Sequence, residues 1–225
     1  MNVAFRTYSE LPDSPYRMWV RGELAEWLGL PDGDGTRVEV IQGDIAVSPG
    51  PAFSHNRIIT GIMTALINAK TADPAFAWES EQVTNLDLYL NDEGFIPDLL
   101  IIDIERAAEM DADDLKLLQP GDVAMVVEVT SPSNANSDRE PGPQHRTKNG
   151  NIIKSKWTGY ARGGIPYYLL VDRDPRVARA ILYTDPDPAS GRYTSASAWT
   201  FGDTICLPEP FAFEIDTSGW KTWQV

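Results

Sequence analysis

Short apolar runs and one stretch with helical spacing dominate the hydrophobic pattern of the chain. The runs Leu99–Ile102 and Val123–Val127 are apolar at every position, which is typical of strands covered on both faces of a sheet. Between Ile58 and Ile67 the apolar residues instead recur at the spacing of a helix. This spacing predicts an amphipathic helix that extends to about Ala69, with Ser54 as its N-cap.

Turn signals and runs of β-branched residues predict the remaining elements. The segment from Arg37 predicts a hairpin that turns at 42–44. The order of elements favours one α/β domain, 1–225, with a mixed central sheet flanked by helices. We expect an extension over 1–36, a core over 37–184 and C-terminal β elements over 185–225. The other predicted helices cover 19–28, 105–118 and 152–162, and the other predicted strands cover 77–90, 95–103, 122–130, 166–172, 178–184 and 192–200.

One long segment has neither of these patterns. Residues 131–150 contain one apolar side chain that could enter a core, Ala135, among Pro, Ser, Asn and charged residues. A segment of this composition cannot bury enough apolar surface to pack. We therefore predict an irregular surface loop over about 132–150.

Length and composition exclude several classes of protein. Hydrophobic residues make up 42% of the 225 positions, which is enough to bury a core and excludes general disorder. No apolar run approaches the roughly 20 residues that cross a bilayer, and the first residues do not predict a signal peptide. The single cysteine, Cys206, excludes an intrachain disulfide and a zinc site built on several thiolates. These bounds predict a globular cytoplasmic protein that does not bind membranes.

The distribution of charge limits the choice of partners. The formal net charge is −14, which by itself argues against DNA binding, because affinity for DNA comes largely from Lys and Arg. The window 131–180 is the exception, since it holds nine Lys and Arg against four Asp and Glu. We interpret this window either as the place where a phosphate-bearing ligand binds or as a solvated basic loop.

Two acidic residues at the ends of the apolar runs carry the candidate chemistry. Asp98 directly precedes one run and Glu128 follows the other. A buried carboxylate is costly without a partner, so a cation, hydrogen-bond donors or a metal must lie nearby. On the helix predicted downstream, Lys156 shares a face with Tyr160 and points to the core, whereas Lys154 lies about 200° away. Two carboxylates can hold Mg²⁺, and a lysine can orient or activate water and stabilise charge on a phosphate.

The order of Pro97-Asp98, a buried Glu128 and a lysine makes the chain resemble the PD-(D/E)XK nuclease superfamily. More specifically, the chain resembles the Uma family of restriction-endonuclease-like proteins, which is common in bacteria. The resemblance covers roughly 37–172 and rests on six segments in the same order. These segments are VEVIQGDIAVSP, PAFSHNRI, IPDLLII, VVEVTSPS followed by Asp138, KWTGY, and GGIPYYLLVD.

The resemblance implies a restriction-endonuclease-like core that uses Mg²⁺ or Mn²⁺ to hydrolyse DNA phosphodiester bonds. Asp98 and Glu128 then correspond to the metal ligands and to catalytic residues. Lys156 corresponds to the catalytic lysine, and Glu39 to an additional acid near the metal. DNA is the expected partner, and a homodimer is an open alternative to a monomer because related nucleases often dimerise to cut two strands.

Both the lysine and the activity have alternatives. Thr130 occupies the position where the superfamily pattern has its lysine, and in the Uma pattern the lysine lies on the next helix. The spacing from Asp138 to Lys156 is longer than the short loop of that family, so the insertion over 139–155 leaves Lys148 and Lys154 as further candidates. We interpret His55 and Tyr160 either as accessory residues of the site or as packing residues. The same fold also suits a catalytically silent binding or regulatory protein, which the net charge favours, or a metal-dependent phosphoesterase of small substrates.

Overall fold

The chain folds into two mixed sheets, a short two-stranded sheet and flanking helices over residues 11–30, 35–142 and 154–224, which the computed structural model describes. The helices are α1 (Pro15–Val20), α2 (Leu24–Trp27), α3 (Phe53–Ala72), α4 (Ile104–Ala112), α5 (Ala135–Asp138) and α6 (Lys156–Gly163), with 3₁₀ turns at Tyr89–Asn91 and Pro120–Asp122. The strands are β1 (Arg37–Ile41), β2 (Asp44–Ser48), β3 (Trp78–Glu81), β4 (Asn85–Leu88), β5 (Glu93–Phe95), β6 (Leu99–Asp103), β7 (Leu117–Leu118), β8 (Met125–Val129), β9 (Tyr167–Asp172), β10 (Arg179–Asp187), β11 (Arg192–Thr200), β12 (Thr204–Cys206) and β13 (Glu214–Asp216).

The two larger sheets face each other across a shared core. The N-terminal sheet has the strand order β2-β1-β5-β4-β7, and the central sheet has the order β11-β10-β9-β8-β6-β3. β8 and β9 run parallel, while the other neighbours in the central sheet are antiparallel. One core joins the inner faces of both sheets to α6, and a second lies between the central sheet, α3 and the β12–β13 pair. The predicted α/β class with a mixed central sheet flanked by helices is confirmed.

The predicted hairpin forms with a two-residue turn. Ile41 pairs with Asp44, and the intervening Gln42 and Gly43 both have positive φ, at 47° and 80°. Such a turn matches the twist of the two strands and fixes their register. In this register Glu39 shares the inward face of β1 with Ile41, which belongs to the core between the sheets.

The segment predicted as one strand over 95–103 is divided between the two sheets. β5 ends at Phe95 in the N-terminal sheet, and β6 begins at Leu99 in the central sheet. Pro97 lacks a backbone N–H and interrupts the ladder at this crossing. The segment 77–90 is likewise divided, into β3 and β4, with Val83 at a φ of 56° between them.

Several predicted helix bounds are wrong. The helix predicted over 19–28 is divided into α1 and α2, and the helix predicted over 152–162 begins at Lys156, with Ser155 as its N-cap. α3 begins two residues earlier than it would with Ser54 as its cap, since Ala52 is the N-cap. The Ser54 hydroxyl instead accepts a hydrogen bond from Arg173 Nη2 at 2.6 Å, a partner from a distant strand end. The segment 105–118 also ends its helix at Ala112, and the strand β7 follows.

The predicted surface loop over 132–150 is wrong in its first part, while 143–150 lies outside the described residues. Ala135, Ser137 and Asp138 of α5 are buried. Tyr168 anchors the segment by donating its hydroxyl to the Asp138 carbonyl at 2.8 Å. Polar tertiary contacts therefore order a segment whose composition offers little apolar surface. No helix among the described residues is long and apolar enough to cross a membrane.

Candidate active site

Asp98 and Glu128 lie beside each other at one end of the central sheet. The antiparallel ladder pairs Leu99 of β6 with Val127 of β8, so its next step sets Asp98 beside Glu128. The backbone N–H of Val129 donates to Asp98 Oδ2 at 2.9 Å, which fixes this carboxylate. Both acids are buried, with exposed fractions of 4% and 1%. The two acids singled out from the sequence therefore meet.

Lys156 reaches Glu128 from the first turn of α6. Ser155 caps this helix by accepting the N–H of Trp157 at 3.2 Å. The Lys156 ammonium lies 2.7 Å from Glu128 Oε1. Tyr160, one turn later on the same face, donates its hydroxyl to the same oxygen at 2.6 Å. Tyr160 thus packs in the core and also holds the Glu128 carboxylate in place.

Two more carboxylates approach the Lys156 ammonium. Glu39 Oε1 lies 3.3 Å from Nζ, and Asp138 Oδ1 lies 3.4 Å from it. Glu39 also accepts the N–H of Ile96 at 2.8 Å, which ties it to the crossing between the sheets. Apart from the ion pair with Lys156, neither oxygen of the fully buried Asp138 has a hydrogen-bond partner among the described residues. One lysine therefore faces three carboxylates.

Asp98 is held by two basic side chains of its own. Arg37, the first residue of β1, donates from Nη1 to Asp98 Oδ1 at 2.6 Å. His55 is buried in the first turn of α3, and its Nε2 lies 3.1 Å from Asp98 Oδ2. Arg37 was not predicted from the sequence, although alternation along β1 places it on the same face as Glu39. Asp138 was not assigned a role either, because the polar residues around it in the sequence do not indicate that it is buried.

Burial and charge shift the pKa values of these groups in different directions. Burial raises the pKa of Asp98, but contact with His55 and the charge of Arg37 lower it by more than burial raises it. The net pKa of Asp98 lies well below its usual range. Burial raises the pKa of Asp138 to about 7. Burial lowers the pKa of Lys156, yet its neighbouring carboxylates raise it more, and the net pKa lies well above 10.5. Lys156 is therefore a cation at neutral pH rather than a general base.

A pocket of about 200 Å³ leads to Asp98, Glu128 and Lys156. The turn that follows β8, at 131–134, forms part of its wall, as does the segment before α3. The pocket is large enough for several water molecules or for a phosphate group. The ionisable side chains that line it are Arg37, Glu39, His55, Asp98, Glu128 and Lys156.

The described part of the basic window 131–180 does not supply a cluster of cations to this pocket, and the alternative lysine Lys154 does not line it. Lys154 lies 2.9 Å from Asp44 Oδ2 and donates to the Gln42 carbonyl at 2.6 Å, at the tip of the β1–β2 hairpin. Lys148 lies outside the described residues. Within the window 131–180, four of the described cations are paired with carboxylates, namely Arg139, Lys154, Lys156 and Arg176. In its described part the window is therefore not a continuous basic surface.

The donor set at this site fits a hard divalent cation. No three His, Cys, Asp or Glu side chains in the described parts of the chain are arranged to hold a metal by themselves. Mg²⁺, however, is commonly held by one or two carboxylates, with water and substrate phosphate oxygens as its other ligands. Asp98 and Glu128 supply two such carboxylates at the wall of one pocket.

Comparisons with known proteins agree with this fold. The family model described as "Uma2: Putative restriction endonuclease" matches residues 23–218. A solved structure from Anabaena variabilis ATCC 29413, described as "a putative nuclease belonging to DUF820", is similar with a TM-score of 0.53 and 16% sequence identity. The similarity covers 83% of this chain and 89% of that one. No curated protein matches the chain.

Proposed function

This chain belongs to the Uma2 family, and on that premise we propose that it is a divalent-metal-dependent nuclease that hydrolyses DNA phosphodiester bonds. The family and the shared fold support nuclease function in general. One observation supports the specific activity: Asp98 and Glu128 are neighbours across β6 and β8, and Lys156 lies 2.7 Å from Glu128 at the wall of the same pocket.

Each residue has a distinct part in this proposal. Asp98 and Glu128 would hold Mg²⁺ or Mn²⁺, which would supply Lewis acidity and lower the pKa of water. Lys156 remains protonated, so it stabilises negative charge that develops on the phosphate and orients water through its N–H groups. Glu39 and Asp138 also contact the Lys156 ammonium and position it.

A second candidate function has one specific observation in its favour. Both oxygens of Asp98 are already engaged, one by Arg37 and the other by His55 and the Val129 N–H. A carboxylate so fully engaged also suits a catalytically silent protein of the same fold that binds nucleic acid or regulates a partner. Metal binding would then be weak or absent, because a metal would have to displace these groups.

Two measurements on the same variants test the proposal. Cleavage of supercoiled plasmid DNA is followed with Mg²⁺, with Mn²⁺ and with chelator, and the melting temperature is measured with chelator and with about 5 mM Mn²⁺, chosen to exceed weak carboxylate affinities. The variants are Asp98→Asn and Glu128→Gln, with Asp111→Asn as a control that removes a charge from an exposed position. Bis-(p-nitrophenyl) phosphate, offered in parallel, tests for a small-substrate phosphoesterase.

We expect metal-dependent nicking by the parent and by Asp111→Asn, and its loss in the two site variants. The Mn²⁺-induced rise in melting temperature should disappear in the same two variants, because a ligand that binds only the folded state stabilises it by mass action. Equal rises in all proteins would show that the ion binds elsewhere on the acidic surface. A rise without any cleavage would favour the catalytically silent protein.

Asp138 supplies a separate test of how Lys156 is positioned. Asp138→Asn removes one of the three carboxylates around the ammonium but leaves both proposed metal ligands in place. We expect cleavage to fall about tenfold or more, while the Mn²⁺-induced rise in melting temperature is kept. Loss of both effects together would instead make Asp138 a metal ligand, and an unchanged cleavage rate would remove its positioning role.

A further inference from the structure

A second cleft adjoins the acidic pocket at the start of α3. It encloses about 470 Å³ between the first turns of α3 and the segment that follows β13. Ala52 and His55 line the acidic pocket, while the intervening Phe53 and Ser54 line the cleft. The residues that line the acidic pocket and those that line the cleft therefore alternate along the start of α3.

Two aromatic side chains form part of the wall of the cleft. Phe53 is 81% exposed, more than any other large apolar side chain among the described residues. Trp220 is partly exposed, and the ring of Phe201 packs edge-on against it with the ring centres 5.5 Å apart. The exposure of Phe53 costs free energy in water, and a planar ligand that covered the ring would recover it.

The cations around the cleft lack carboxylate partners, unlike most cations of this acidic protein. Arg57 and Lys221 line the cleft, and no carboxylate of a described residue lies within 4.0 Å of either charge. The guanidinium of Arg173 donates hydrogen bonds to Ser54 Oγ at 2.6 Å and to the Lys221 carbonyl at 3.0 Å. The acid that lines the cleft, Asp216, accepts the N–H of Ser218 at 2.8 Å and its hydroxyl at 2.9 Å. The cleft thus offers free positive charge beside exposed rings.

We propose that this cleft binds an unpaired nucleotide of the DNA strand, next to the phosphate that is cut. The base stacks on Phe53 and Trp220, and its phosphate lies near Arg57 and Lys221. Aromatic rings beside a cationic track are the features by which proteins hold single strands without reading their sequence. The inference rests on the proposed function, because the acidic pocket next to the cleft is taken as the place of cleavage.

Binding measured without metal tests the cleft separately from catalysis. Fluorescence anisotropy of a labelled single-stranded DNA oligonucleotide is recorded in chelator, where cleavage is suppressed, over a series of salt concentrations. The variants are Phe53→Ala and Arg57→Gln. Lys116→Gln is the matched control, since this exposed cation lies next to β7 at the edge of the N-terminal sheet and has no carboxylate partner among the described residues.

We expect Phe53→Ala to weaken binding about tenfold, which corresponds to about 1.4 kcal/mol and lies within the usual range for one stacked base. Arg57→Gln should reduce the slope of log affinity against log salt by about 0.7, the value for one phosphate contact on a single strand. Lys116→Gln should bind as the parent does. A duplex of the same sequence should bind less tightly and should be insensitive to Phe53→Ala.

Different negative results would refute nucleotide binding in the cleft and nuclease activity separately. The proposal that the cleft binds a nucleotide would be refuted if the parent shows no measurable binding of the single strand, or if Phe53→Ala and Lys116→Gln bind equally well. This holds even if Asp98→Asn abolishes cleavage. Tighter binding of the duplex with the same dependence on Phe53 would also overturn it, because stacking on the ring requires an unpaired base. If binding depends on Phe53 but the protein never cleaves DNA, the proposal that the cleft binds a nucleotide would stand and the proposed nuclease activity would be refuted.

Discussion

Glu93 is a buried acid outside the candidate active site, and its removal should stabilise the protein at alkaline pH. The side chain is 1% exposed on β5. Its Oε1 accepts the N–H of Gln42 at 2.7 Å, while Oε2 has no hydrogen-bond partner in the described part of the chain. Burial raises its pKa from 4.5 to about 7, and the charges of Arg162 and Lys154 only partly oppose this rise.

The difference between these two pKa values sets the magnitude. Between pH 4.5 and 7 the unfolded chain has lost the proton of Glu93 and the folded protein still binds it, so stability falls as the pH rises. At about 1.4 kcal/mol per pH unit the full loss is about 3 kcal/mol above pH 7. Glu93→Gln keeps the shape and the acceptor for Gln42 but has no charge. We expect it to be more stable than the parent by about 1 kcal/mol at pH 5.5 and by about 3 kcal/mol at pH 8.5.

Chemical denaturation followed by tryptophan fluorescence at several pH values measures this difference. Glu105→Gln is the control, because it removes the same charge from an exposed position on α4. Its free energy of unfolding should stay within about 0.5 kcal/mol of the parent at every pH. A stability difference for Glu93→Gln that does not change between pH 5.5 and 8.5 would refute the reasoning, and so would a loss of stability at pH 8.5.

Two further predictions concern packing and a buried ion pair, and both are measured as free energies of unfolding. A Cβ at Gly94 would overlap the ring of Trp19, so Gly94→Ala should cost about 2 kcal/mol, while Gly121→Ala, with open space around the added atom, should cost less than about 1 kcal/mol. Equal losses would show that the Trp19 ring moves aside freely. Arg139→Met leaves the buried carboxylate of Asp172 without its cation and Asp174 with Arg176 alone, so it should cost about 3 kcal/mol. Arg176→Met removes an 85% exposed cation from one of them and should cost less than about 1 kcal/mol; a larger loss there than at Arg139 would contradict this assignment.

Local patterns in the sequence were sufficient to identify two central strands and the central acids. A run that is apolar at every position has one stable environment, between two layers, and both such runs form strands of the central sheet. Asp98 and Glu128 were visible because a carboxylate next to such a run needs a partner. Lys156 was visible because helical spacing relates it to Tyr160, and the structure brings both to Glu128.

The features that sequence reasoning missed depend on contacts between distant segments. Arg37 reaches Asp98 because the N-terminal sheet folds against the central sheet, which no local pattern records. Asp138 is buried by side chains from β9 and α6 rather than by its own apolar neighbours. The division of 95–103 between two sheets likewise follows from tertiary packing, since Pro97 signals an interruption but not its direction.

The site joins residues that are far apart in the chain, and this separation determines when it can form during protein synthesis. Glu39 and Lys156, which meet at 3.3 Å, are 117 positions apart. Contacts of such long range form late in folding, because the intervening chain must first be closed into a loop. A nascent chain that has reached β8 already carries Asp98 and Glu128, but the ribosome must add the lysine over the following few seconds, at about 5–20 residues per second. The constellation therefore remains incomplete on the ribosome until α6 has emerged and docked between the two sheets.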